Sequence, residues 1–349
     1  MIMAIDRGRF LGLCTAAPLA FAPALAHAQT IDELYQKARQ EGALSLYTGG
    51  PAANYTGPLA DFKAKYPGIT VTVTGDFSNV IDRKVDTELA QNNVVCDIPI
   101  LQTVQDFVRW NAAGALTSYK PAFFDAIGPE FREPSGAYFS QDVFLLAYSY
   151  NTTMVRPDDV PSSALDFLKP QFRGLAVTCY PHDDDATLYL FSTLVKKYGW
   201  SFMDRYMAND ARFVQGHVAV SRDIAAGKSS VTFDASSHTS DRLRLGGQPI
   251  ANAFSRDDLT PVFTTTAGIM KRAPHPNAAK LYTNWYLSPE QQARTGNWSP
   301  RNDLPPPPGL RPLNTYHLAN AYREFVTDEA NLIALRKRFL AYTGPVANK

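Results

Sequence analysis

Between Ala43 and Ala113 the chain repeats one pattern three times: a short apolar strand, a polar turn, then a helix with apolar residues three and four apart. Ala43-Leu-Ser-Leu-Tyr47 passes through Thr48-Gly49-Gly50-Pro51 into a helical period at Tyr55, Leu59, Phe62 and Tyr66, stopped by Pro67-Gly68. Ile69–Thr74 has the β-branched alternation of a strand, and Gly75-Asp-Phe-Ser78-Asn79 opens a second helix with Ser78 as its expected N-cap. Cys96–Leu101 is the third strand and Thr103–Ala113 the third helix, closed by Gly114. Units of this kind make a parallel sheet with helices on its faces. Ligands of such sheets sit at the carboxyl ends of the strands, here the loops 48–51, 77–79 and 102–103.

A second segment starts near Phe139 with the apolar run Val143–Tyr150, followed by the polar, Pro-rich stretch Asn151–Ser163. Strand character returns at Gly174–Cys179, Ser229–Phe233, Pro249–Phe254 and Thr264–Lys271. Helical spacing marks Ala186–Tyr198, Ser201–Met207, Asn277–Leu287, Pro289–Arg294 and a long closing helix at Ala319–Tyr342. Pro305–Pro308 reads as a stiff extended spacer.

The N-terminus has the three regions of a secretory leader: Arg7 and Arg9, an apolar run Phe10–Leu25, and the small-residue site Ala26-His27-Ala28. Pro18 and Pro23 break the run, so neither a buried helix nor a membrane span is expected there. Residues 1–28 are therefore expected to be cleaved and the chain exported to the periplasm. Without the leader, which carries Asp6, Arg7 and Arg9, the formal net charge of +1 falls to zero. That leaves no basic surplus to hold nucleic acid. The hydrophobic share of 45% is enough to fill cores and excludes a disordered chain.

Cys96 and Cys179 remain, each in an apolar strand-like run, and in an oxidising compartment they are either buried free thiols or one bridge. No paired-cysteine motif or Cys/His metal spacing is present, nor a Gly-x-Ser-x-Gly elbow, His-Glu-x-x-His or P-loop. No cofactor and no catalytic residue is expected.

Three stretches carry a resemblance: Leu46-Tyr47-Thr48-Gly49, Ala147-Tyr-Ser-Tyr-Asn151-Thr152, and Lys271-Arg-Ala-Pro-His275-Pro-Asn277-Ala-Ala279-Lys with Ser288-Pro289-Glu290-Gln291. In these the chain resembles the type II periplasmic solute-binding proteins of ABC importers, in extracellular solute-binding family 1. Within it the likeness is to the ferric-ion-binding branch. The resemblance implies an α/β, two-lobe type II periplasmic binding fold with an interlobe ligand cleft and C-terminal helices. Lobe one would hold residues 29–135 plus about 247–290, lobe two about 136–246, and 291–349 would pack as a helical segment on both.

The signature around His275 has structural logic: Pro276 suits a first helical turn, Asn277 can satisfy free N–H groups there, and His275 reads as a hydrogen-bonding residue. The iron ligands of that branch are not retained. Loop by loop, Pro51 stands where its histidine falls, Gln102 where its glutamate falls, and Ser237 and His238 where its tyrosine pair falls. Ferric iron needs anionic oxygen donors, which Pro51, Gln102 and Ser237 do not offer.

Candidate ligand residues are Thr48, Gly49, Ser78, Asn79, Gln102 and Thr103 from the first lobe, with hydroxyls, amides and helix N-termini suited to a carboxylate, phosphate or polyol. From the second lobe come Tyr180, Asp184, Ser236 and Ser237. The run His182-Asp183-Asp184-Asp185 either favours the next helix's N-terminus or meets a cation across the cleft; a metal variant would use Asp184 with His238. Arg301 either pairs a ligand carboxylate or a nearby Asp. The expected function is a monomeric receptor that captures a small polar solute by lobe closure and hands it to ABC permease subunits. The alternatives are a periplasmic protein serving a membrane sensor, a metal or ferric-ion binder, and a periplasmic enzyme.

Overall fold

The structure is a computed structural model that describes Met1 and residues 30–347. The expected leader lies outside the described residues, among which no helix is long and apolar enough to cross a membrane. The first helix, α1 (Ile31–Glu41), opens on a reciprocal cap in which Thr30 accepts from Glu33 N while the Glu33 carboxylate accepts from Thr30 N. The three expected βα units follow as β1 (Ala43–Gly49), α2 (Thr56–Lys65), β2 (Thr70–Asp76), α3 (Ser78–Ala90), β3 (Ile98–Leu101) and α4 (Val104–Ala112). β1 runs parallel to both β2 and β3.

The chain then crosses on β4 (Phe139–Asn151) into a second set of elements. These are β5 (Val177–Cys179), α5 (Asp185–Tyr198), α6 (Ser201–Ala208), β6 (Arg212–Val214), α7 (His217–Ala225), β7 (Val231–Ser236), α8 (Ser237–Leu245) and β8 (Ile250–Ala253). It returns on β9 (Thr260–Ala267) to α9 (Pro276–Tyr286) and α10 (Pro289–Gln292), and finishes with β10 (Leu318–Ala319), α11 (Tyr322–Thr327) and α12 (Glu329–Thr343). One curled sheet of order β2-β1-β3-β9-β4-β7, with β10 on β9 and β8 on β4, runs through both sets, because β4 pairs with β9 along its first half and with β7 and β8 along its second; β5 and β6 pair in a separate two-stranded sheet. The β4–β9 register shifts between Ser140 and Asp142, leaving Gln141 outside the ladder.

The main hydrophobic clusters lie one set in each half, with a further cluster of Val143, Leu145, Val262, Trp298 and Tyr316 on the β4–β9 ribbon. In the first half, Leu44, Leu46 and Phe62 pack with Tyr282 and Trp285 of α9, while Tyr47 and Leu101 pack with Val85, Phe107 and Trp110 on the opposite sheet face. In the second, Phe167, Phe191, Tyr206 and Phe233 form an aromatic centre that Phe339 of α12 completes. Each such side chain contributes roughly 1.5–3 kcal/mol when fully buried.

Several local readings are corrected. Ser78 is the first helical residue of α3, not its cap; its Oγ accepts from Gln102 N at 3.3 Å instead. The N-terminus of α9 is satisfied by Glu41, which accepts from Asn277 N, Asn277 Nδ2 and Ala278 N, so Asn277 donates rather than caps. The closing helix is two helices, because Asp328 stops α11 and caps α12 by accepting from Asn331 N at 3.1 Å. Cys96 and Cys179 are free, buried thiols. His275 has the structural role its neighbours implied: fully buried Asp97 accepts from its N–H at 2.7 Å and sits 2.9 Å from its Nδ1, while also accepting from Ser45 N at 2.7 Å.

Candidate functional site

The loops at the strand ends of the first half are drawn tightly together. Gly49 permits this, since a Cβ on it would lie 2.4 Å from Ser78 Oγ. Gly75 permits the next approach, where a Cβ would come within 2.5 Å of Ala52 N and Gly50 O. Thr48, Gly49, Ser78, Gln102 and Thr103 thus share one patch, with Asn79 exposed beside it. Thr48 is fully buried and its hydroxyl has no hydrogen-bond partner among the described residues, whereas the nearly buried Thr103 hydroxyl meets the Asp106 carboxyl. Orphaned buried hydroxyls are uncommon and cost about 1–3 kcal/mol each unless something meets them.

In the second half the corresponding ends are the β5–α5 turn, the start of α7 and the β7–α8 turn. Ser236 and Ser237 are buried at the start of α8, which has no side-chain cap. The acidic run is consumed internally, residue by residue. His182 Nδ1 lies 3.1 Å from Thr343 Oγ1, and Asp183 accepts from Gln215 Nε2 at 2.9 Å. Asp184 caps α5 by accepting from Thr187 N at 2.9 Å, and Asp185 accepts from Gln105 Nε2 of α4 at 2.9 Å and from Arg336 of α12. Of this run, Asp184 and Asp185 stand at the N-terminus of α5.

Tyr180 is turned toward the C-terminal segment, tilted on Phe213 with its hydroxyl accepting from Ala347 N at 3.4 Å. Arg301 takes the second of its two expected roles: it forks onto Asp303 at 2.9 and 2.7 Å, donates to Leu287 O at 2.6 Å and covers the Phe123 ring. Asp184 is not joined by His238, whose ring lies beside Phe144 and about 3.8 Å from where a Cβ on Gly296 would be. Burial and Arg242 lower the His238 pKa to about 4, so it is neutral near pH 7.

His217, absent from the sequence reading, sits at the centre of the second half's site. Its Nε2 lies 3.3 Å from Asp184 Oδ1, and its Nδ1 lies 3.1 Å from Asp234 O, 3.5 Å from Asp234 Oδ1 and 3.5 Å from Cys179 Sγ. Burial opposes a charge on this ring, but Cys179, Asp184 and Asp234 outweigh it and raise its pKa well above the usual range. Burial likewise works against the Asp184 carboxylate, yet His217 and the α5 amides lower it to about 2. In Asp234 burial dominates and pushes the carboxyl up to about 6. Burial pushes the Cys179 thiol up to about 12. Nothing local in the sequence announces the group, since its members are 38 and 17 residues apart.

The halves touch through Gln105 and Asp185, and through Phe77, whose ring lies 3.5 Å from where a Cβ on Gly216 would be. Behind β4 and β9 lies a pocket of about 90 Å³ lined by Tyr138, Ser140, Thr264, Thr266, Tyr322 and Arg323.

Solved structures with this architecture are binding proteins. Iron-bound HitA from Pseudomonas aeruginosa superposes with a TM-score of 0.70 at 18% identity, covering 85% of this chain and 99% of that one. AfuA from Actinobacillus pleuropneumoniae, with fructose-6-phosphate bound, gives 0.71 at 16% identity, covering 86% and 98%. The Trichodesmium IdiA (FutA) in complex with iron and citrate gives 0.63 at 18% identity, covering 85% and 99%. No curated protein matches the chain. Residues 48–293 match the bacterial extracellular solute-binding protein family, and the chain belongs to that family of two-lobed binding proteins.

Proposed function

We propose that this protein is the periplasmic receptor of an ABC importer and binds a small anionic or hydroxyl-rich solute between the strand ends of its lobes. The carrying observation is the buried, unpartnered hydroxyl of Thr48, beside the Ser78–Gln102 contact. Ser236 and Ser237 at the start of α8 face the solute from the other lobe in this reading. Helix N-termini and hydroxyls favour phosphate, carboxylate or polyol groups. A cationic group on the solute is not favoured, because Asp184 is already matched by His217 and the α5 amides. Ligands of structural relatives, a sugar phosphate and iron with citrate, fall in the same oxygen-rich class. In this reading the lobes keep the expected division, 29–135 with about 247–290 against about 136–246, except that β8 joins the second lobe because it pairs with the second half of β4, so the return falls near residue 254 rather than 247. Closure on the solute would present one surface to permease subunits.

Native mass spectrometry of freshly purified protein is the first test, with the retained mass identified and added back. A true solute at a hundredfold excess over its Kd raises stability by about 2.7 kcal/mol. Failure of any retained solute, sugar phosphate, carboxylate or polyol to raise the melting temperature would overturn the reading, as would ferric iron with a tyrosinate absorption band.

A further inference from the structure

The buried group beneath the second lobe's cleft wall has the donor set and spacing of a metal site. Cys179 Sγ, His217 Nδ1 and an Asp234 carboxylate oxygen lie within 4.8 Å of one another, and all three residues are buried. Among the described residues it is the one cluster of three such donors this close. Tetrahedral zinc, at about 2.3 Å from sulfur and about 2.05 Å from nitrogen, separates those two donors by about 3.5 Å. The observed Sγ–Nδ1 separation is 3.5 Å. Nitrogen and carboxylate oxygen around the same ion would be about 3.4 Å apart, and His217 Nδ1 is 3.5 Å from Asp234 Oδ1.

The surroundings also suit a metal. His217 Nε2 is buried against Asp184 Oδ1 at 3.3 Å, and the ion would replace the 3.1 Å contact of Nδ1 to the Asp234 backbone carbonyl. Coordination through Nδ1 would place the ring proton on Nε2, against that carboxylate, which is how ligating histidines are commonly oriented. Asp234 is held by Cys179 N at 2.7 Å and by the Thr187 hydroxyl at 3.0 Å. A sulfur, a nitrogen and one carboxylate match a borderline-soft divalent ion and not ferric iron.

We propose that Cys179, His217 and Asp234 bind one divalent ion of the zinc class, with Asp184 as the residue that orients His217. Binding releases the Cys179 proton and the His217 Nδ1 proton to solvent and leaves a fourth position for water or another small donor. The site is independent of whichever solute the cleft takes.

The test uses Co²⁺ as a spectroscopic probe and Zn²⁺ as competitor on chelator-treated full chain. With Cys14 and Cys96 changed to Ala, Cys179 is the one thiol left. That variant should bind one equivalent of Co²⁺ with a thiolate-to-cobalt charge-transfer band, bleached by one equivalent of Zn²⁺. Cys179→Ser and His217→Gln should lose the band, and Asp184→Asn should weaken binding about 10- to 100-fold. No stoichiometric binding by the Cys14→Ala, Cys96→Ala chain, or binding without the charge-transfer band, overturns the proposal even if the other variants fail to fold. A band of full strength in folded Cys179→Ser does so too. Neither result touches the solute test, which is read by melting temperature with chelator present.

Discussion

Asp97 is the side chain whose removal should most damage the first half of the molecule. It is fully buried and receives Ser45 N, His275 N and His275 Nδ1 at 2.7, 2.7 and 2.9 Å, so it ties β1 to the start of α9. Asp97→Ala strands two backbone N–H groups and one ring nitrogen. At about 1–3 kcal/mol for each stranded group, with the partly exposed His275 ring recovering water, the loss should be about 3–5 kcal/mol. Asp97→Asn keeps one acceptor but turns an amide N–H toward a donor, and should fall between wild type and Asp97→Ala. Guanidinium unfolding followed by far-UV circular dichroism reads both as midpoint shifts at constant slope. An Asp97→Ala variant within about 1 kcal/mol of wild type would refute the reasoning.

His238 should give stability a pH limb. Its folded pKa of about 4 lies below the reference value of 6.5, so the unfolded chain binds more protons between those values. Its contribution is complete above pH 6.5, is lost as pH falls toward 4, and amounts to at most about 3 kcal/mol. His238→Gln should flatten that window in melting curves taken from pH 4 to 7; an unchanged slope would count against the assignment. The two crowded glycines should differ. Gly75→Ala meets backbone atoms of Ala52 and Gly50 and should cost about 3 kcal/mol, whereas Gly49→Ala meets a Ser78 hydroxyl that can rotate away, costing about 1 kcal/mol with loss of the Gln102 N contact. Equal thermal shifts for the pair would be inconsistent with this geometry.

The βα rhythm from Ala43 to Ala112 is legible because each strand and helix buries one face locally, and periodicity reports that directly. The internal role of His275 was legible too, from the prolines around it. What the sequence hides is decided by distant partners. Nothing near Asn277 says that Glu41 will occupy the α9 N-terminus. Ser78 has the composition of a cap, yet the closeness of Gly49 and Gln102 draws its hydroxyl sideways. Arg301 sits two residues before Asp303, so its pairing was visible, but its burial against Phe123 was not. The Cys179–His217–Asp234 group is assembled from the ends of two strands and a helix, and only tertiary structure brings those together.

The single strand β4 joins both ends of the sheet, and that has a mechanical consequence. Any swing of one half against the other must flex a two-stranded ribbon of β4 and β9 without tearing the ladders at either end. The ribbon has a built-in soft point at Gln141, which is outside the register, fully buried, and lacks a partner for either amide atom among the described residues. Bending there disturbs the Gln292 Nε2 contact to the Gln141 carbonyl and no hydrogen bond of the Gln141 side chain, whereas bending one residue further on would disturb the Asp142 contacts to Tyr286, Thr265 and Asn297. The ribbon acts as a leaf spring notched at one residue, and the notch sets where the molecule yields.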